Sequence, residues 1–156
     1  EDLVASAEET EELMAAVRRF EHRLQARELG GATGKKYLKL QEDLAAATRS
    51  LQELMLKPPA DPDEFERKHS ERRRAVVTIT TAIEDLEAAH FAETLDAKTA
   101  KDYRDYREEL QRVEKSFAQW LRTNPPQTPE NMVKYDRYRR RIERLQDELD
   151  AIRDGV

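Results

Sequence analysis

The amino-acid sequence predicts an all-α fold of antiparallel helical hairpins with coiled-coil-like seams. Apolar residues recur every three and then four positions in five separate segments, which is the spacing of one face of an amphipathic helix. Glycine or proline residues separate most of these segments. The apolar pattern also recurs at an offset of 66 residues, which predicts a tandem repeat of about two and a half units.

The first two helices are predicted on either side of a glycine pair. The first ends at Gly30 and Gly31, because adjacent glycines favour the end of a helix. The second ends before Pro58, since proline lacks the backbone donor that a helix interior needs. The apolar stripes are Leu13, Val17, Phe20 and Leu24 in the first helix, and Tyr37, Leu40, Leu44, Ala47, Leu51 and Leu54 in the second.

The third helix is predicted to begin at Asp61, with Pro62 in its first turn. Residues 75–83 are rich in valine, threonine and isoleucine, which taken alone favour a β-strand. Their apolar residues nevertheless follow the helical spacing, so a helix is predicted there as well. The stripe of this helix comprises Val76, Ile79, Ile83 and Leu86.

The fourth and fifth helices are separated by Pro125, Pro126 and Pro129. Thr128 is predicted to cap the fifth helix, because it stands directly before a first-turn proline and Glu130. The stripes are Tyr103, Tyr106, Leu110, Val113, Phe117 and Trp120 in the fourth helix, and Ile142, Leu145, Leu149 and Ile152 in the fifth.

The connection between the third and fourth helices is ambiguous. Residues 95–101 contain neither glycine nor proline, so this stretch could remain helical and merge the two helices. A merged helix would resemble the connections of spectrin-type arrays, although those use longer three-helix units. The expected overall form is an elongated bundle or a spectrin-like rod.

The 66-residue offset relates all five helices. Tyr37 matches Tyr103 in the second and fourth helices, and Leu13 matches Ile79 and Leu145 in the other three. Each repeat unit is therefore a helix, a proline-rich turn and a second helix. We expect a fragment of a longer helical-repeat protein, with residues 1–31 as the second helix of a preceding unit and 32–96 and 97–156 as two hairpin units.

The composition suits long helices with solvated faces. Charged residues make up 39% of the chain, and its formal charge of -5 gives no overall attraction to nucleic acid or anionic lipid. No segment is apolar enough to span a bilayer, and there is no cysteine for disulfides or thiolate metal sites. Because the chain shows no signal or transmembrane segment either, a cytoplasmic location is slightly favoured.

Two Glu-x-x-His motifs have the spacing of carboxylate-bridged metal sites, Glu66 with His69 and Glu87 with His90. Both lie on the third predicted helix, 21 residues and therefore about 31 Å apart, so their ligands cannot converge. We expect these histidines to lie in or beside the apolar seam, and we expect no metal and no cofactor. No catalytic triad, phosphate loop or calcium loop is present, so the protein is not expected to be an enzyme.

Two arginine clusters are candidates for a binding patch, 72–74 and 137–141. Consecutive residues spread around a helix, so solvated faces and ion pairs are the favoured interpretation, with phosphate binding as the alternative. Trp120 is expected to pack in the core, and would be a partner anchor if exposed. Possible partner-binding residues are Trp120, Leu121, Tyr135, Tyr138, Arg139 and Arg140.

The leading functional hypothesis is a structural or scaffolding segment that mediates spacing or protein–protein interaction. The alternative is a binding module that accepts a partner helix or peptide between hairpins. Reversible lipid binding by amphipathic helices is a weaker hypothesis. We expect protein partners and possible homo-oligomers, with no nucleic acid. Apolar residues outside the stripes would pack on a neighbouring hairpin or line such a groove: Leu38, Met55, Leu56, Leu121 and Val133.

Overall fold

A computed structural model describes residues 2–155, with side chains from residue 10 onward, and this part of the chain is all-helical. The all-α prediction is confirmed, and residues 75–83 lie inside a helix as expected. Within residues 2–155 the structure has five helices: α1 Asp2–Leu29, α2 Gly31–Leu56, α3 Pro62–Glu93, α4 Ala97–Leu121 and α5 Pro129–Asp154.

The chain divides into two compact units, Glu1–His90 and Phe91–Val156. In the first unit a buried cluster joins the end of α1 to α2 and α3, with Ala26, Tyr37 and Ile83 at its centre. Burial of the ring raises the pKa of Tyr37 above its ordinary value, and the negative charge of Glu87 acts in the same direction. The partly buried residues around this cluster are Leu38, Leu40, Leu44, Ile79 and Leu86.

A tight joint connects α1 to α2. Gly30 and Gly31 have φ angles of 71° and 45°, in the left-handed region that glycine adopts without a Cβ clash. Gly34, in the first turn of α2, is buried against α1. A Cβ atom at Gly34 would lie 2.1 Å from the Ala26 carbonyl oxygen, so the two helix backbones meet only because residue 34 has no side chain.

The helix is interrupted between α3 and α4, so the two helices do not merge through residues 95–101, a point on which the sequence was ambiguous. The backbone amides of Thr94 and Leu95 donate to carbonyls of the last α3 turn, and the new helix begins after Asp96. The Asp96 carboxylate caps α4 by accepting from the backbone amides of Lys98 and Thr99. It also accepts from the Thr99 hydroxyl, and this bond lowers the pKa of Asp96.

In the second unit, Tyr103 is the most deeply buried large side chain among the described residues. Its ring contacts Phe91 edge-on at 5.1 Å between centroids. Thr128 caps α5 as predicted, with its side chain accepting from the Asn131 amide. The other buried apolar residues of this unit are Ala92, Ala100, Leu145 and Leu149.

Candidate functional site

One face of α1 exposes a row of large apolar side chains. Five residues at helical spacing are between 46% and 66% exposed, and we call them the α1 stripe: Leu13, Met14, Val17, Phe20 and Leu24. Residues 10–21 are all exposed. A row of this size is a candidate interaction site, since single apolar residues are common on surfaces but contiguous patches are not.

The last turns of α1 behave differently from the stripe. His22 contacts the Tyr37 ring edge-on at 6.2 Å between centroids, and Ala26 and Leu29 are buried in the core of the unit. α1 is therefore anchored through its C-terminal end. The stripe extends along the helix beyond this anchor.

Four aromatic side chains form a cluster where α4 and α5 approach the proline-rich turn. Phe117 lies at the centre, with its centroid 5.0 Å from that of Tyr138 and 5.4 Å from that of Tyr135. Trp120 stacks on Phe117 at 6.2 Å and contacts Tyr138 at 5.9 Å. The Lys134 ammonium lies 5.3 Å from the centre of the Trp120 ring, within cation–π range.

The aromatic cluster brings three of the six predicted partner-binding residues together. Trp120 and Tyr138 are half-buried and stacked on their neighbours, whereas Tyr135 and the nearby Leu121 are 41% and 42% exposed. Trp120 and Tyr138 stack on Phe117 and contact each other, so their rings stabilise the packing of α4 on α5. Each such pair contributes about 1 kcal/mol beyond area burial.

An open groove of about 850 Å³ runs beside this cluster, and we call it the α4–α5 groove. Five cationic residues of α5 line it, together with two valines and Tyr138. Glu130 is the single carboxylate in the lining. The lining residues are Val113, Glu130, Val133, Lys134, Arg137, Tyr138, Arg140, Arg141 and Arg144.

The other lining arginines stand three, four and seven positions after Arg137, and this spacing places them on one side of α5. Among the residues that the structure describes, Arg137, Arg140 and Arg144 have no carboxylate within ion-pair distance. Arg141 pairs with Glu109 of α4. Outside the groove, Arg139 pairs with Glu143 at 2.8 Å.

These arginines are exposed, and Arg139 and Arg141 form ion pairs, in agreement with the interpretation as a solvated, ion-paired face. The structure adds that Arg137, Arg140 and Arg141 line one groove, whereas Arg139 lies outside it. The signal that could have revealed the groove was available in the sequence. Lys134 and Arg144 stand three and seven positions from Arg137, a spacing that indicates one face of a helix. The spread around the helix had been inferred only from the consecutive arginines 139–141.

The other predicted candidates lie apart from this groove. Arg72 donates to the Ser50 carbonyl and so links α3 to α2, while Arg73 and Arg74 are exposed. Both Glu-x-x-His motifs lie on α3, as expected, and His69 stacks on Phe65 at 5.6 Å. Within the described residues, no three acidic or histidine side chains are grouped closely enough to hold a metal ion.

Comparison with protein-family models, curated proteins and solved structures gives no significant match. None of the helices in residues 2–155 combines the length and apolar character that crossing a membrane requires.

Proposed function

We propose that this chain is a non-enzymatic scaffolding segment of helical-hairpin repeats, and that its α1 stripe packs on the first helix of another hairpin unit. One observation carries the proposal. Val17 is 47% exposed, whereas the residues 66 and 132 positions further along, Ile83 and Leu149, are 6% and 4% exposed. The same repeat position is covered in two helices and uncovered in the third.

The burial pattern supports the repeat itself. α2 and α4 begin 66 residues apart, at Gly31 and Ala97. The buried Tyr37 interacts electrostatically with Glu87 and the buried Tyr103 with Arg153, and these two charged residues are also 66 residues apart. Four pairs of positions at this offset are both buried: Ala26 and Ala92, Gly34 and Ala100, Tyr37 and Tyr103, and Ile83 and Leu149.

The kind of helix that would pack on the α1 stripe can be inferred from the equivalent stripe that is already packed. In α3 the equivalent stripe, Ile79, Ile83 and Leu86, packs with α2 residues such as Tyr37 and Leu40. A helix that presents tyrosine and leucine at the same spacing is therefore the surface that the α1 stripe fits. Covering five half-exposed apolar side chains would contribute about 1 kcal/mol each.

A fusion protein tests this proposal. Adding a copy of residues 97–132 directly ahead of Glu1 supplies α4 and its turn in the 66-residue register. We expect the fusion to suppress the fluorescence of a dye that binds exposed apolar surface. We also expect its unfolding midpoint in urea to rise relative to the original chain.

The matched control carries Tyr106→Ser and Leu110→Ser in the added copy alone. These changes make two of the six stripe residues of the supplied helix polar but leave its length and its turn unchanged. We expect the control to retain the dye signal of the original chain. Equal behaviour of the fusion and its control would contradict the proposal.

A second function, that of a helical binding module, is favoured by the α4–α5 groove. Its five cations on one helix face are concentrated in a chain whose formal charge is -5. This local excess of positive charge suits recognition of an acidic partner, because complementary charge guides association.

A further inference from the structure

Three of the five cations of the α4–α5 groove have no cationic counterpart in the first unit, whereas Arg140 corresponds to Arg74 and Lys134 to Lys68. The residues 66 positions before Arg137, Arg141 and Arg144 are Glu71, Ala75 and Thr78. Lys68, the counterpart of Lys134, pairs with Glu64 at 2.5 Å. Packing does not require cations at the positions of Arg137, Arg141 and Arg144, since the first unit has a buried core with other residues there.

The groove also has the dimensions and lining of a helix-binding surface. Its lining extends from Glu130 to Arg144, which is about 21 Å along α5. Val113 and Val133 lie among the cations, and Val133 is 58% exposed. A helix of about 15 residues would span this length, and its carboxylates at three- and four-residue spacing would face the cations in register.

We propose that the α4–α5 groove binds an acidic amphipathic helix of a protein partner. Carboxylates of that helix would accept from Lys134, Arg137, Arg140 and Arg144, and its apolar residues would cover Val133. Guanidinium groups suit this role because they bind carboxylates through two parallel hydrogen bonds. The inference rests on the binding-module function and is independent of the packing of α1.

The surroundings of the groove favour a short acidic helix over a nucleic acid. Single-stranded nucleic acids bind where aromatic side chains are available for stacking, but Tyr138 and Trp120 are stacked on Phe117. Acidic residues also stand at both ends of the cationic run, with Glu130 before it and Asp147 and Glu148 after it. A long polyanion that extended beyond the groove would meet these carboxylates.

The test uses the full chain and a fluorescently labelled helical peptide of about 15 residues. The peptide carries glutamate at every third or fourth position and leucine beside that row. Binding is followed by fluorescence anisotropy at low salt. We expect the double variant Arg137→Glu and Arg140→Glu to weaken binding about ten-fold or more, because reversal of two groove cations places like charges opposite each other.

The double variant Arg73→Glu and Arg74→Glu is the matched control, because it changes the net charge equally at exposed positions of the first unit. We expect the control to bind the peptide as the original chain does. Circular dichroism verifies that both variants fold. An absence of peptide binding, equal weakening in both variants, or tighter binding of an oligothymidylate of similar length would overturn the proposal.

Discussion

Gly34 shows how a single residue sets the geometry of a helix joint. Its Cα faces the Ala26 carbonyl so closely that a methyl group would overlap with the backbone of α1. The equivalent position in the second unit is Ala100, which is buried without such a conflict. The sequence showed a glycine here in place of alanine, but the helical pattern alone could not show that another backbone lay against it.

Gly34→Ala is therefore expected to destabilise the protein by about 1–3 kcal/mol, because the added methyl group forces the α1 backbone to move. Helix propensity acts in the opposite direction, since alanine in a helix is about 1 kcal/mol better than glycine. Urea unfolding followed by circular dichroism measures the net effect. The reciprocal variant Ala100→Gly, as control, is expected to cost about 1 kcal/mol. A Gly34→Ala protein as stable as the original would contradict the close approach.

At the scale of the helices, the sequence predicted the helices themselves better than the breaks between them. The 3–4 apolar spacing predicted all five helices, and the Thr128 cap was confirmed. The break before α4 has no glycine or proline, and Asp96 marks it instead. An aspartate inside a charge-rich stretch is a weak signal, because its capping role depends on the Thr99 hydroxyl and amide being within reach.

The cap makes a prediction about protonation. Hydrogen bonds from Thr99 favour the charged form of Asp96, so its pKa lies below the ordinary value of 3.8. Because the folded pKa is lowered, the stabilisation is present above 3.8 and is lost as the pH falls through the folded value. We expect Thr99→Val to raise the pKa of Asp96, as followed by nuclear magnetic resonance of its carboxyl carbon.

Thr94→Val provides the control for this titration. The Thr94 hydroxyl donates to the Phe91 carbonyl at 2.7 Å and does not bond to Asp96. The pKa of Asp96 should therefore be the same in this variant and in the original chain. A shift of equal size in both variants would mean that the Thr99 hydroxyl does not hold the carboxylate in its charged form.

For the candidate sites as well, the sequence pattern shows which residues share a helix face but not which helices lie beside that face. The stripes predicted which face of each helix is apolar, but the periodicity is the same in α1, where the face is exposed, and in α3, where it is partly or fully buried. Exposure depends on which helices lie nearby, and spacing along the chain does not report that. The α4–α5 groove was missed for a different reason, since Arg137 and Arg144 lie seven positions apart in sequence but on one face of α5.

At the scale of the whole molecule, the proposed repeat would explain how one apolar pattern can give both buried and exposed helix faces. Val17, Ile83 and Leu149 are the equivalent apolar residues of α1, α3 and α5, the second helices of the three proposed units. The two copies that have a first helix beside them are buried. In the proposed assembly, the remaining copy is the surface through which hairpin units join.

Amide hydrogen exchange of the full chain over a dilution series tests this claim most directly. A helix segment without tertiary contacts opens locally, so its amides exchange early. We predict that in dilute solution the amides of residues 13–20 exchange faster than those of the equivalent residues 79–86 and 145–152. Equal protection of all three segments at every dilution would contradict the account, because the α1 stripe would then already be covered within a single chain.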